Sequence, residues 1–165
     1  MADCRGWQGE PQESPCTASD AKALGAAVAG WLGGAKAGDY LGIHAYLPPR
    51  PETTAALAGL QAAVHAKTKL AVTVGYGPRF LHSTGQLHKG GTDRCRFLQL
   101  VDQPAQDLAV PETAYTFGTL IRAQAEGDRQ ALEQRERTVL RVQLGTQDAA
   151  GLAAVRQAVD DARLR

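Results

Sequence analysis

The sequence predicts an α/β fold: a doubly wound, mainly parallel sheet of about four or five strands flanked by helices in a three-layer sandwich. Short apolar runs rich in strand-forming residues alternate with longer segments whose apolar residues recur at helical spacing. A helical segment also lies between the first two of these runs, which is the βαβ pattern that joins neighbouring parallel strands.

The first predicted helix follows Ser19 or Asp20, either of which can cap it, and runs from Ala21 towards Ala37 before Gly38 stops it. The second follows Thr53 or Thr54. The remaining helices are predicted over about 117–135 and 148–164. The predicted strands are 39–47, 70–74, 95–101 and 138–144.

Length and composition indicate one domain behind an N-terminal arm. Residues 1–18 contain Gly6, Gly9, Pro11 and Pro15 with no periodic pattern, which is typical of a flexible arm. Residues 19–165 are then a single domain. A chain of 165 residues with 44% hydrophobic content can bury a core without disulfides or a metal.

Charge and cysteine content exclude several classes of function. The formal net charge is +1, so nucleic acid is not an expected partner. The chain lacks a long apolar run and its first residues lack a signal peptide, which disfavours membrane insertion and secretion. Three cysteines without a CxxC pair fit a reduced cytoplasm better than a disulfide framework or a zinc site. We therefore expect a cytoplasmic protein with no metal and no cofactor.

In doubly wound sheets ligands bind beyond the carboxyl ends of the strands. The loops after Val74 and Val101 are therefore the predicted ligand-binding loops. The first of these, residues 75–91, carries five glycines, two histidines, Arg79 and Lys89. Glycines let backbone N–H groups approach an anion, and the side chains of Ser83 and Thr84 can donate to phosphate oxygens. The alternative is a polar loop whose glycines serve turns, because short motifs often match by chance.

The run GYGPRFLHSTGQLHKGG at 75–91 closely resembles the C-terminal sugar-isomerase (SIS) domain of the glucose-6-phosphate isomerases that are fused to transaldolase in bacterial bifunctional proteins. The likeness extends to GDYLGIHAYLPP at 38–49, RFLQL at 96–100, YTFGTLIRAQAEGD at 115–128 and VLRVQL at 139–144. It therefore covers most of the chain beyond the arm.

This resemblance implies an SIS fold that binds phosphorylated sugars and interconverts glucose 6-phosphate and fructose 6-phosphate. In such isomerases a histidine or lysine assists ring opening, and a carboxylate then moves a proton between C1 and C2 through an enediol. By analogy the catalytic candidates are His82 and His88. The implied substrate-binding residues are Arg79, Ser83, Thr84, Gln86 and Lys89. The implied partner is a second copy of the chain or a companion SIS-domain or transaldolase-type chain.

The sequence also departs from this family. The complete isomerase has two SIS domains, whereas this chain has room for one. The 75–91 loop holds no carboxylate, and Ile121 stands where the family carries a lysine. The nearest carboxylates in sequence, Asp93 and Glu112, are expected on solvated turns. Three functions stay open: an isomerase domain, a non-catalytic sugar-phosphate-binding or regulatory module, and an isomerase for another phosphosugar.

Other polar residues have structural interpretations. His44 lies on the predicted strand face of Tyr40 and Gly42 and is expected to be a satisfied strand histidine. The charge-dense stretch 128–137 is expected to be a solvated helix face with a Glu133–Arg137 pair and no function.

Overall fold

The computed structural model describes residues 16–164, which form a three-layer α/β domain around one all-parallel sheet. Its strands are β1 (Cys16–Thr17), β2 (Tyr40–Tyr46), β3 (Ala71–Tyr76), β4 (Cys95–Val101) and β5 (Thr138–Gln143). Its helices are α1 (Ala21–Gly33), α2 (Pro51–Thr68), α3 (Thr84–Gly90), α4 (Phe117–Glu133) and α5 (Asp148–Asp161). The predicted fold class is confirmed.

The order of strands across the sheet is β1-β5-β4-β2-β3. The direction in which successive strands are added to the sheet therefore reverses in its middle, although all strands stay parallel. From β2 it passes through α2 to β3 at one edge, then crosses back to β4 on the other side of β2. Helices α1, α2 and α5 cover one face of the sheet, and α3 and α4 cover the other. The point of reversal lies between β2 and β4.

The two faces of the sheet differ in chemistry. On β2 the side chains of Leu41, Ile43 and Ala45 are buried in the main apolar core beneath α1, α2 and α5. The alternate residues face α3 and α4, and they include His44, which is 2% exposed, on the side of Tyr40 as predicted. The face beneath α3 and α4 thus carries buried polar groups, while the opposite face is apolar.

Several element boundaries differ from the predicted ones. Helix α1 ends at Gly33, well before Gly38. Helix α2 begins at Pro51, ahead of the predicted threonine caps, because proline fits the first turn of a helix and Glu52 complements the helix dipole there. Asp20 does cap α1, accepting a hydrogen bond from the Ala23 N–H at 3.0 Å.

The first and last elements of the described chain lie side by side. Strand β1 pairs with β5, and α1 packs against α5 and β5. Cys16 and Thr17, which the sequence assigned to the arm, therefore belong to the sheet, and residues 1–15 of that arm lie outside the described residues. Within residues 16–164, no helix combines the length and apolar character needed to cross a bilayer.

Candidate functional site

A cavity of about 440 Å³ opens at the carboxyl ends of β2, β3 and β4, beside the point where the strand order reverses. This is where ligands bind in open α/β sheets, because diverging loops leave a crevice there. Four segments line it: residues 46–49 after β2, residues 76–79 after β3, parts of 101–108 after β4, and the first turns of α4.

The walls of the cavity are largely apolar, with four charged side chains among them. Two are cationic, Arg79 and Arg122, and two are acidic, Asp102 and Asp107. Within residues 16–164 neither arginine forms an ion pair with a carboxylate, and the hydrogen bond of Arg122 goes to the hydroxyl of Thr119 at 3.3 Å. Both guanidinium groups are therefore available to an anion.

The two acidic groups differ in how they are held. Asp107 accepts hydrogen bonds from the Thr116 hydroxyl at 2.6 Å and the Gly118 N–H at 2.8 Å, and these bonds hold the pKa of its carboxyl below the ordinary value. Asp107 thus fixes the start of α4. Burial and then the neighbouring Asp148 carboxylate raise the pKa of the Asp102 carboxyl above its ordinary value.

The predicted site residues are spread over three environments. Arg79 lines the cavity, and the catalytic candidate His82 is exposed on the adjoining 3₁₀ turn Arg79–His82, outside the cavity lining. The remaining exposed candidates follow it along the chain: Ser83, Thr84 and Gln86. The Ser83 hydroxyl donates to the Phe80 carbonyl at 3.3 Å, and the Gln86 amide donates to the Leu81 carbonyl at 3.1 Å.

His88 is buried between α3 and the sheet and does not line the cavity. It is 4% exposed, and its Nδ1 lies 2.9 Å from the Tyr40 hydroxyl. The rings of His44, Phe80 and Phe97 surround it. Burial, with a further contribution from His44, lowers the pKa of His88 to about 4, so the imidazole is neutral at pH 7.

Lys89 is held in a group of polar side chains beneath α3, the Asp128 cluster, which consists of His44, His88, Lys89 and Asp128. Lys89 Nζ lies 2.5 Å from one carboxylate oxygen of Asp128, and His44 Nδ1 lies 3.4 Å from the other. Burial opposes ionisation of Asp128, but these neighbours outweigh it and hold the pKa of its carboxyl below the ordinary value. The cluster ties α3, α4 and β2 together.

The prediction of a solvated face at 128–137 is wrong at its first residue, because Asp128 is 3% exposed. The predicted Glu133–Arg137 pair is also wrong. Helix α4 ends at Glu133, which instead pairs with Arg129 at 2.7 Å, and Arg137 donates to the Gly91 carbonyl. A signal for the burial of Asp128 is present in the sequence, since it shares a helical stripe with the buried residues Ala125 and Leu132.

The Tyr46 ring forms the floor of the cavity and links it to the Asp128 cluster. Burial, and then the Asp128 carboxylate, raise the pKa of the Tyr46 hydroxyl. Gly77 lies against the same ring so closely that an added Cβ would overlap it. The floor therefore has no room for a side chain at position 77.

Gly77→Ala is expected to lower the free energy of unfolding by about 1–3 kcal/mol, because the new methyl group must displace a fully buried aromatic ring. Urea denaturation measures the effect. Gly25→Ala is the matched control, since an added Cβ there meets nothing within 4 Å, and alanine within helix α1 should stabilise slightly. Equal stability of the Gly77→Ala protein and the parent would contradict the close contact.

Among residues 16–164, no three His, Cys, Asp or Glu side chains are grouped as ligands for a metal ion. The described cysteines, Cys16 and Cys95, are unpaired thiols.

No family model matches the sequence, and no curated protein matches it. The structure is similar to the crystal structure of hypothetical protein TT0462 from Thermus thermophilus, with a TM-score of 0.62 and 16% sequence identity. The similarity covers 87% of this chain and 43% of that one, so this chain spans less than half the length of that protein. At this level of identity the likeness supports the doubly wound fold alone.

Proposed function

We propose that the cavity between β2 and β4 binds a phosphorylated sugar and that the domain contributes to aldose–ketose isomerisation between glucose 6-phosphate and fructose 6-phosphate. The observation that carries the proposal is the convergence of Arg79 and Arg122, neither ion-paired within residues 16–164, on one cavity. A guanidinium group binds phosphate through two parallel hydrogen bonds, which favours an anionic ligand of this kind.

The size and position of the cavity agree with this proposal. Small-molecule sites commonly have volumes of about 300–1,000 Å³, and about 440 Å³ lies within that range. The sequence resemblance to the SIS domain of glucose-6-phosphate isomerases supports the choice of a hexose phosphate. The unpaired thiols of Cys16 and Cys95 are compatible with a cytoplasmic protein.

We also propose that a second domain completes the site, because the predicted site residue His82 faces outward. His82 is exposed beside the cavity and is not among the residues that line it. In a homodimer, or beside a companion SIS-domain or transaldolase-type chain, it is available to a ligand held by the second domain. His88 is buried, and we propose that it supports α3 rather than contacting the sugar.

The alternative is a sugar-phosphate-binding module that senses or regulates without turnover. The observation that favours it is Ile121, an apolar residue that lines the cavity where the resembling family carries a lysine. Without a lysine at this position, the two arginines would still bind the phosphate, but the chemical step would be slower.

Calorimetric titration with fructose 6-phosphate, with fructose as the unphosphorylated control, tests the proposal. Arg79→Ala and Arg122→Ala are each expected to reduce affinity by about 1.5–3 kcal/mol, since each removes a charge-assisted hydrogen bond. Arg156→Ala is the matched control, because Arg156 pairs with Asp160 on the surface of α5. Equal affinity for fructose, or unchanged affinity in both cavity variants, would refute phosphate recognition at this site.

A further inference from the structure

Isomerisation through an enediol requires a base within reach of C1 and C2 of the open-chain sugar. The loop 75–91 has no carboxylate, and Asp93 and Glu112 are exposed and outside the cavity lining. The cavity itself presents two carboxyl groups, those of Asp102 and Asp107. Their surroundings decide which of them is able to accept a proton.

Asp107 is unsuited to the task. Its two carboxylate oxygens accept hydrogen bonds from the Thr116 hydroxyl and the Gly118 N–H, which occupy it in capping the start of α4. Protonation would weaken both bonds, and its pKa lies below the ordinary value for the same reason. A carboxylate held in this way is a weak base.

We propose that Asp102 is the general base of the isomerisation, an assignment that rests on the proposed function. It follows β4 directly, so its backbone is held at the carboxyl end of that strand, beside the point where the strand order reverses. The Gln143 amide, 3.4 Å from the Asp102 carbonyl, holds it from β5. Its carboxylate accepts a hydrogen bond from its own backbone N–H, and no other residue within 16–164 donates one to it, so an oxygen remains free to face the cavity.

The charges around Asp102 come from three neighbouring elements. Asp148, at the start of α5, faces it with like charge and is itself paired with Arg50 at 3.7 Å. Arg50 and Arg122 act on it with opposite charge. Burial and Asp148 outweigh the two arginines, which places the pKa of Asp102 above the ordinary value and makes it a stronger base than a solvated aspartate.

In the proposed step the Asp102 carboxylate removes a proton from C1 of the ketose. The C1–H electron pair becomes the C1=C2 double bond, and the carbonyl electrons move to O2, which becomes an oxyanion. A proton then passes from the O1 hydroxyl to O2, and Asp102 returns its proton to C2. The aldose forms with the carboxylate regenerated and no external oxidant or reductant.

The test follows deuterium incorporation at C1 of fructose 6-phosphate in D₂O by proton NMR, with calorimetric binding of the same ligand measured in parallel. Asp102→Asn is expected to bind fructose 6-phosphate within about threefold of the parent protein and to lose at least about a hundredfold in exchange rate. Asp102→Glu should restore part of the exchange and shift the acidic limb of its pH profile. Asp93→Asn is the matched control, an exposed carboxylate outside the cavity, and should exchange at the parent rate.

The two parallel readouts separate the possible failures. Binding without exchange in the parent protein would overturn Asp102 as a base and leave the proposed sugar-phosphate binding intact. Exchange at the parent rate in Asp102→Asn would also overturn the assignment. Absence of binding in the parent protein would overturn the proposed function and this inference together.

Discussion

Asp128→Asn is expected to lower the free energy of unfolding by about 3–5 kcal/mol, because it leaves the buried ammonium group of Lys89 without its counter-ion. The Asp128 side chain is 1% exposed and that of Lys89 is 16% exposed, so water cannot fully replace the lost partner. The same change removes the carboxylate near His44. Helix α3 should therefore loosen from the sheet as stability falls.

Urea denaturation of Asp128→Asn, Lys89→Met and the double variant measures this coupling. Since the double variant removes both charges, it should lose less stability than the sum of the two single variants. Asp160→Asn is the matched control: Asp160 pairs with Arg156 on the surface, where both side chains are more than two-fifths exposed, and the cost should lie within about 1 kcal/mol. A similarly small loss in Asp128→Asn would show that water reaches the Lys89 ammonium group.

Acidification from pH 6.5 to about 4 is expected to remove about 3 kcal/mol of stability through His88 alone. The folded protein lowers the pKa of His88 from 6.5 to about 4, so in this range the unfolded chain binds a proton that the folded chain does not. The contribution of His88 to stability is therefore fully present above pH 6.5 and is lost as the pH falls towards 4. The titratable groups that face His88 include His44, Lys89, Asp128 and the Tyr40 hydroxyl.

Denaturation curves at a series of pH values check this expectation, together with the pH titration of the His88 ring proton by NMR. His88→Gln should flatten the loss of stability between pH 6.5 and 4. His82→Gln is the control for replacing a histidine, because His82 is exposed and the change leaves the buried ring of His88 in place. A His88 ring that titrates near pH 6.5 would contradict the expected origin of the effect.

Elements with a strong local signal are predicted well from the sequence. Strand β4 begins at Cys95 and ends at Val101 as predicted, since an apolar run between turn residues needs no knowledge of distant contacts. The predicted start of α2 falls at the threonines instead of Pro51, because both cap and proline signals occur within four residues. The sequence also indicates the loops after β3 and β4 as the site, and both line the cavity.

The details of the candidate site depend on the order of the strands, which one sequence does not reveal. Arg79 follows β3, Asp102 follows β4 and Arg122 belongs to α4, and only the reversal between β2 and β4 brings them to one cavity. From the sequence alone, the polar segment around His88 predicts that this histidine contacts a ligand. The seven-residue helix α3 turns His88 inward, where the packing of α3 on β2 leaves it facing His44.

The pairing of β1 with β5, and of α1 with α5, has a consequence for biosynthesis. Leu24, Val28 and Leu32 of α1 are synthesised before the α5 surface that buries them, which is made only after residue 148. Until then the apolar side of α1 lacks its cover from α5, and exposed apolar surface of this kind favours aggregation. Helix α5 is thus the element that removes α1 from that exposure.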